Sequence, residues 1–264
     1  MIGRCLILLL ISYESIAQTY TGPNYQAMGH TGTALQGIYS LTANPAGLTG
    51  LQRTEIGLNY QHHFLTTAIN TQAALVGVPT RMGTFGLAVS RYGLKRAYDD
   101  TKAGFSFARQ FGPRFSVGMM ASYHQLYIPN YLYTFSLSVD MGVQYRFEQG
   151  SIIGFQYTNL GNTGYGVDAY GVIPSFMRIG LSYPLKEVII TADVAYQTAR
   201  ALGGHFGVEY RIGEILCLRG GVSINPMQQH AGFGVRWFRF VFDAAATFHP
   251  RLGTSPQIGV CYAF

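Results

Sequence analysis

The stretch Tyr133–Phe147, YTFSLSVDMGVQYRF, alternates from end to end. Tyr133, Phe135, Leu137, Val139, Met141, Val143, Tyr145 and Phe147 are apolar or aromatic, while Thr134, Ser136, Ser138, Asp140, Gly142, Gln144 and Arg146 between them are small or polar. Successive side chains of a strand point to opposite faces, so this run makes a strand with one greasy and one polar face. At about fifteen residues it outruns the roughly 5–6 usual in soluble sheets. Aromatics stand at both ends of the apolar face and aliphatics in the middle, the girdle pattern of a strand that crosses a bilayer.

The same pattern recurs through the chain, at Ile56-Leu58-Tyr60, at Phe115-Val117-Met119, at Val188-Ile190-Ala192 and at Phe238-Phe240-Phe242, and last at Ile258-Val260-Tyr262-Phe264. With a weaker strand at Gln72 to Val78, it predicts an all-β, antiparallel transmembrane barrel of about fourteen strands, an even number as single-chain bacterial barrels require. The opposite face collects Glu55, Asn59, Gln61, Asp140, Arg146, Arg178, Asp193, Glu209, Arg211, Arg219, Arg236, Arg239 and Asp243. These are read as lumen residues that pair with one another, since a charge on the lipid face costs roughly 2–4 kcal/mol at the midplane.

Composition agrees. Only 11% of the 264 residues are charged and 48% are hydrophobic, with 33 Gly, 19 Tyr and 17 Phe, whereas soluble domains carry about a quarter charged residues. A mean hydropathy of +0.15 suits a chain with half its strand positions facing a polar lumen. The net charge of +6 is not gathered into a basic run, so no nucleic-acid partner is expected. Residues 1–17 read as a signal peptide, with Arg4, an apolar run from Cys5 to Ile11 and a Ser15-Ile16-Ala17 cleavage site. Export without a spanning helix predicts the bacterial outer membrane, with its lipid as solvent. Cys217 and Cys261 fall on non-adjacent strands and are read as unbridged.

With both ends of the strand series on the inner side, Thr80–Gly83, Phe111–Arg114, Phe147–Gly150, Pro184–Glu187, Ile212–Glu214 and Trp237–Phe238 become short inner turns. The longest outer loop is Leu160–Pro174, LGNTGYGVDAYGVIP. Its Asn162, Tyr165, Asp168 and Tyr170 are the candidate contacts to a protein partner. The final strand ends on Tyr262 and Phe264, an aromatic terminus of the kind read by the barrel-assembly machinery.

Residues 18–53 form a leader rich in Gly, Thr and Ala, placed ahead of a barrel at 54–264. Within it Asn44-Pro45-Ala46-Gly47-Leu48 reads as a capped helical turn, Asn44 at the N-cap and Pro45 at the first helical position. A leader of this kind folds back into the lumen as a hatch, or plug.

Here the sequence resembles a known group. MGHTGTAL at Met28–Leu35 and SLTANPAGLTGL at Ser40–Leu51 look like the N-terminal segment of the FadL-like outer-membrane barrels. More particularly they are similar to the PorV/PorQ family of Bacteroidota, to which YTNLGNTG at Tyr157–Gly164 and GFGVRWFRFVFDAA at Gly232–Ala245 also correspond. The resemblance implies fourteen strands with an N-terminal hatch, structural roles for Asn44, Pro45 and Gly47, and no catalytic residues. Brief outer loops depart from the long loops with which fatty-acid transporters capture ligand. The resemblance therefore implies a non-enzymatic docking or shuttle component of type IX secretion or surface assembly, with a protein partner. The alternative is a FadL-like channel for hydrophobic small molecules such as fatty acids, its ligand in an apolar pocket beside Met28, Leu35, Leu41 and Leu48. No cofactor and no metal are expected. His62, His63, His124, His205 and His230 fall on scattered strands, and neighbouring His62 and His63 face opposite ways.

Overall fold

A computed structural model describes residues 21–66, 68–94, 97–166, 173–197 and 201–264. The signal peptide assigned to residues 1–17 lies outside them, as do Asp168 and Tyr170. Fourteen antiparallel strands close into one barrel, each paired with its sequence neighbours and the first with the last. They are β1 (Glu55–His62), β2 (Ile69–Pro79), β3 (Thr84–Leu94), β4 (Tyr98–Phe111), β5 (Phe115–Ile128), β6 (Leu132–Arg146), β7 (Ile152–Thr158), β8 (Phe176–Leu185), β9 (Val188–Tyr196), β10 (Gly203–Ile212), β11 (Leu216–Ile224), β12 (Gln228–Trp237), β13 (Phe240–His249) and β14 (Gly253–Ala263). The seam pairs Glu55 with Ala263 through Gln61 with Gln257, and Phe264 N donates to Thr54 O at 3.0 Å.

The faces sort as the alternation requires. On β6, Leu137 is 63% exposed and Phe135 59%, while Ser138 and Asp140, on the opposite parity, are each 4% exposed. An inside-out distribution of this kind suits lipid outside and a polar, filled interior. Among the described residues no helix is long and apolar enough to cross a membrane. The crossing is made by strands. Both ends of the strand series lie at one rim, here the terminal rim, together with the tight turns; the longer connections lie at the opposite, loop rim.

Two details of the sequence reading change. The Trp237–Phe238 turn moves by one residue: Trp237 pairs with Phe240, and Phe238 and Arg239 form the two-residue turn. Phe238 takes φ +53°, the left-handed conformation that closes such hairpins. Arg239, read as a lumen residue, consequently sits exposed in the turn at the rim. β2 also begins at Ile69, three residues ahead of the stretch its pattern marked.

Inside the barrel lie residues 21–51. A short helix α1 (Pro23–Ala27) is followed by two 3-10 helices, Ile38–Thr42 and Pro45–Gly50. Tyr25, Ile38, Tyr39, Leu41, Leu48 and Leu51 of this inner segment cluster with Leu75, Ala108 and Cys261 of the wall. The wall makes room with glycines. Gly77 and Gly86, Gly118 and Gly142, Gly154 and Gly180, and Gly207 and Gly221 are register partners on adjacent strands. A Cβ on any of them would run into the inner segment or into the side chains that hold it, such as Leu51 at Gly77, Asn44 at Gly142, Thr33 at Gly154 and Met28 at Gly207. Glycine is used here for close approach of backbone to backbone.

Candidate functional site

Polar wall residues hold the inner segment in place. Gln26 Nε2 donates to Thr247 Oγ1 at 2.8 Å, and Thr31 and Thr191 share a hydroxyl contact of 2.7 Å. Gln144 Nε2 donates to Thr33 O and Leu35 O at 3.0 and 2.9 Å, and Gln257 Nε2 to Thr21 O at 3.0 Å. Asn44 is fully buried. Its Oδ1 accepts from Ala46 N at 3.0 Å and caps the turn that Pro45 begins, a 3-10 rather than an α turn. Its Nδ2 reaches Thr33 O at 2.8 Å, Val143 O at 3.1 Å and Phe155 O at 3.2 Å. One side chain thus caps a turn and ties it to the wall. Gly47 packs against Ser40 and the Leu35 carbonyl, with no space for a Cβ.

Four of the lumen charges, Glu209, Arg211, Arg219 and Asp243, meet as a chain of ion pairs. Arg219 on β11 donates to Glu209 Oε2 at 2.8 Å and to Asp243 Oδ1 at 2.6 Å, and Arg211 donates to Glu209 Oε1 at 2.8 Å. Arg178 Nη1 donates to His30 O at 3.1 Å. Histidines that looked scattered converge: His30 of the inner segment lies edge-to-face on His230 with centroids 4.8 Å apart. His205 Nδ1 is 2.8 Å from Gly29 O. Sequence spacing cannot bring positions 30, 205 and 230 together. His62 and His63 stay apart, His62 beside Thr66 O and His63 against Thr71 Oγ1. Among the described residues no group of three or more His, Cys, Asp or Glu is placed to hold a metal ion. Cys217 and Cys261 are free.

Two cavities flank the inner segment. The one toward the terminal rim, about 230 Å³, is polar, with Gln36, Thr49, Gln52, Gln110, Gln144 and Arg146 in its lining. The loop-side cavity, about 150 Å³, has Leu41, Thr42 and Ala43 of the inner segment on one side and Tyr165, Ile173 and Pro174 of the long loop on another. Leu75, Ala88, Tyr92, Met120 and Phe176 supply an apolar wall, and Asp100, Lys102, His124 and Asp140 a polar one. Of the four residues expected around an apolar pocket, Leu41 alone lines this cavity; Met28 and Leu48 are buried in packing and Leu35 packs against the core. Lys102 and Asp100 went unnoticed in the sequence, although both stand on the inward parity of β4 with Gly104 and Ser106. That parity was the available signal.

The described ends of the long loop line this cavity. Tyr165 is buried, its carbonyl accepting from Thr134 Oγ1 at 2.9 Å and its hydroxyl donating to Asp100 Oδ1 at 3.3 Å. Ile173 and Tyr165 pack with Leu126. Asn162 remains exposed, in a left-handed turn with φ +47°. At the other rim Phe264 is half-exposed and its ring meets Tyr262 edge-on, with centroids 4.9 Å apart.

No family model matches the chain, and no curated protein matches it. Solved structures do. The CymD monoaromatic hydrocarbon channel superposes with a TM-score of 0.69 at 16% identity, over 92% of this chain and 97% of that one. The Pseudomonas putida toluene transporter TodX gives 0.71 at 13% identity, over 92% and 97%. A Pseudomonas aeruginosa FadL homologue gives 0.66 at 11% identity, over 92% and 98%. Identities this low speak to fold, and the fold they share with this chain is that of a closed antiparallel outer-membrane β-barrel.

Proposed function

We propose that this protein is a non-enzymatic outer-membrane channel for a small hydrophobic molecule, with the inner segment as its hatch. The observation that carries the reading is the loop-side cavity, about 150 Å³ and walled by Leu41, Leu75, Tyr92, Met120 and Phe176, seated where a molecule entering from the loop rim would first meet the hatch. Ligand sites are concave, mostly apolar and few per protein. Channels for monoaromatic hydrocarbons and a toluene transporter among the structural neighbours favour the same reading. They favour it over docking in type IX secretion. The terminal rim faces the periplasm in this reading, and Phe264 marks the chain for the assembly machinery. Proteoliposomes carrying the purified protein are expected to take up small labelled hydrophobic molecules faster than protein-free vesicles. A panel of such molecules crossing at the protein-free rate rules the channel out. Recovery of a stoichiometric secretion partner from native membranes would restore the docking role.

A further inference from the structure

The loop-side cavity carries a chemical preference that its apolar wall does not explain. At about 150 Å³ it has the size at which an apolar cavity admits a single benzene ring. Tyr92, Met120 and Phe176 offer a ring the edge, face and thioether contacts it favours. Yet the same lining holds two carboxylates, Asp100 and Asp140, against one ammonium, Lys102. That ammonium is already engaged: Lys102 Nζ donates to Asp140 Oδ2 at 3.3 Å. Asp140 Oδ1 takes the Asn159 N–H at 2.8 Å, and Asp100 Oδ1 takes the Tyr165 hydroxyl at 3.3 Å. His124 Nε2 is occupied with Ser138 Oγ at 2.8 Å.

Among its described residues the lining is therefore acceptor-rich, with two carboxylates against one ammonium. Each carboxylate oxygen accepts more than one hydrogen bond, and an ionised carboxylate donates none. A bare hydrocarbon filling the cavity displaces water from these oxygens and returns nothing to them. A carboxylate ligand brings like charge into a site of low dielectric, where repulsion is strong. An O–H or N–H group on a ring fits both demands.

We propose that the loop-side cavity selects uncharged one-ring molecules bearing a hydrogen-bond donor, phenols and anilines, over bare hydrocarbons and over carboxylates. The proposal rests on the channel reading and narrows its substrate class, with Asp100 as the acceptor that sets the preference. Fatty acids fall outside it.

The test is equilibrium dialysis of the full chain in detergent micelles against labelled phenol, toluene and benzoate, with protein-free micelles as blank. Phenol is expected to bind about tenfold or more tighter than toluene, the worth of one hydrogen bond to a charged acceptor, with benzoate weakest. Asp100→Asn should narrow the advantage of phenol and raise benzoate binding. Should that variant not fold, Lys102→Met serves instead: it leaves Asp140 unanswered and should weaken benzoate further. Toluene equal to phenol, benzoate equal to phenol, or a gain of benzoate binding in Lys102→Met overturns the donor rule and leaves the channel standing. Failure of all three to bind, with no passage of any ring through proteoliposomes, overturns the channel reading as well.

Discussion

Asp193 on β9 receives Thr33 of the inner segment twice on one carboxylate oxygen, from the backbone N–H at 3.1 Å and from the hydroxyl at 2.8 Å. Gly32 N adds a third contact at 3.0 Å. Both residues are buried, and donors left there without a partner are costly. Asp193→Ala should lower the stability of the folded barrel by about 3 kcal/mol, in the range of one or two hydrogen bonds to a charged group. The readout is the denaturant midpoint followed by the gel-mobility shift between folded and unfolded barrel.

Gly142 lies where Asn44 packs against the wall from inside, and a β-branched side chain there has nowhere to go. Gly142→Val should expel the Asn44–Pro45 turn while the lipid-facing strand pattern still closes the barrel. Protease should then cut between residues 40 and 50 in the folded variant, and its single-channel conductance should exceed that of the parent. A variant that stays uncut with unchanged conductance shows that the wall can yield at this point.

His30, in the inner segment, is buried. Burial first, then the neighbouring His230, His205 and Arg178, holds its pKa well below the usual 6.5. Above that value neither the folded nor the unfolded chain binds the proton. As pH falls below about 6.5 the unfolded chain takes it up and the buried imidazole does not, so stability drops from there toward the lower folded value. The thermal midpoint should be lower at pH 5 than at pH 7.5. His30→Asn, which tolerates the native φ of +63°, should remove part of that acid sensitivity.

Leu137 stands mid-strand on the lipid face at 63% exposure. Leu137→Arg should cost about 2–4 kcal/mol in a bilayer. Folding titrations into vesicles measure it, and a neutral outcome would remove β6 from the bilayer midplane.

Period-two alternation made the barrel legible, because lipid outside and polar packing inside impose opposite demands on neighbours such as Leu137 and Ser138. The capping of Pro45 by Asn44 was legible too, being local. Phe238 misled by one position, since an aromatic in a left-handed turn keeps the apolar spacing of the strand it precedes, Phe240 and Phe242. The cavity and the histidine group were out of reach. Asp100 and Tyr165, or His30 and His230, meet only once the barrel has closed and the chain from residue 21 onward has been laid inside it. The paired glycines held more than was read from them. Gly142 and Gly118 share a register and a face, and that spacing marks where another piece of backbone passes.

Tyr39 has a consequence for how the cylinder could ever be unzipped. Its hydroxyl lies 3.2 Å from Asn59 Oδ1 on β1, 3.2 Å from Cys261 Sγ on β14 and 3.4 Å from Asp243 Oδ2 on β13. The phenol acts as a rivet driven from within across the joint between the first and last strands. Parting β1 from β14 to let a molecule slip sideways into the bilayer would mean drawing that rivet, and with it the coil of chain that fills the bore. One hydroxyl thereby fastens the inner segment and the closing seam at a single point.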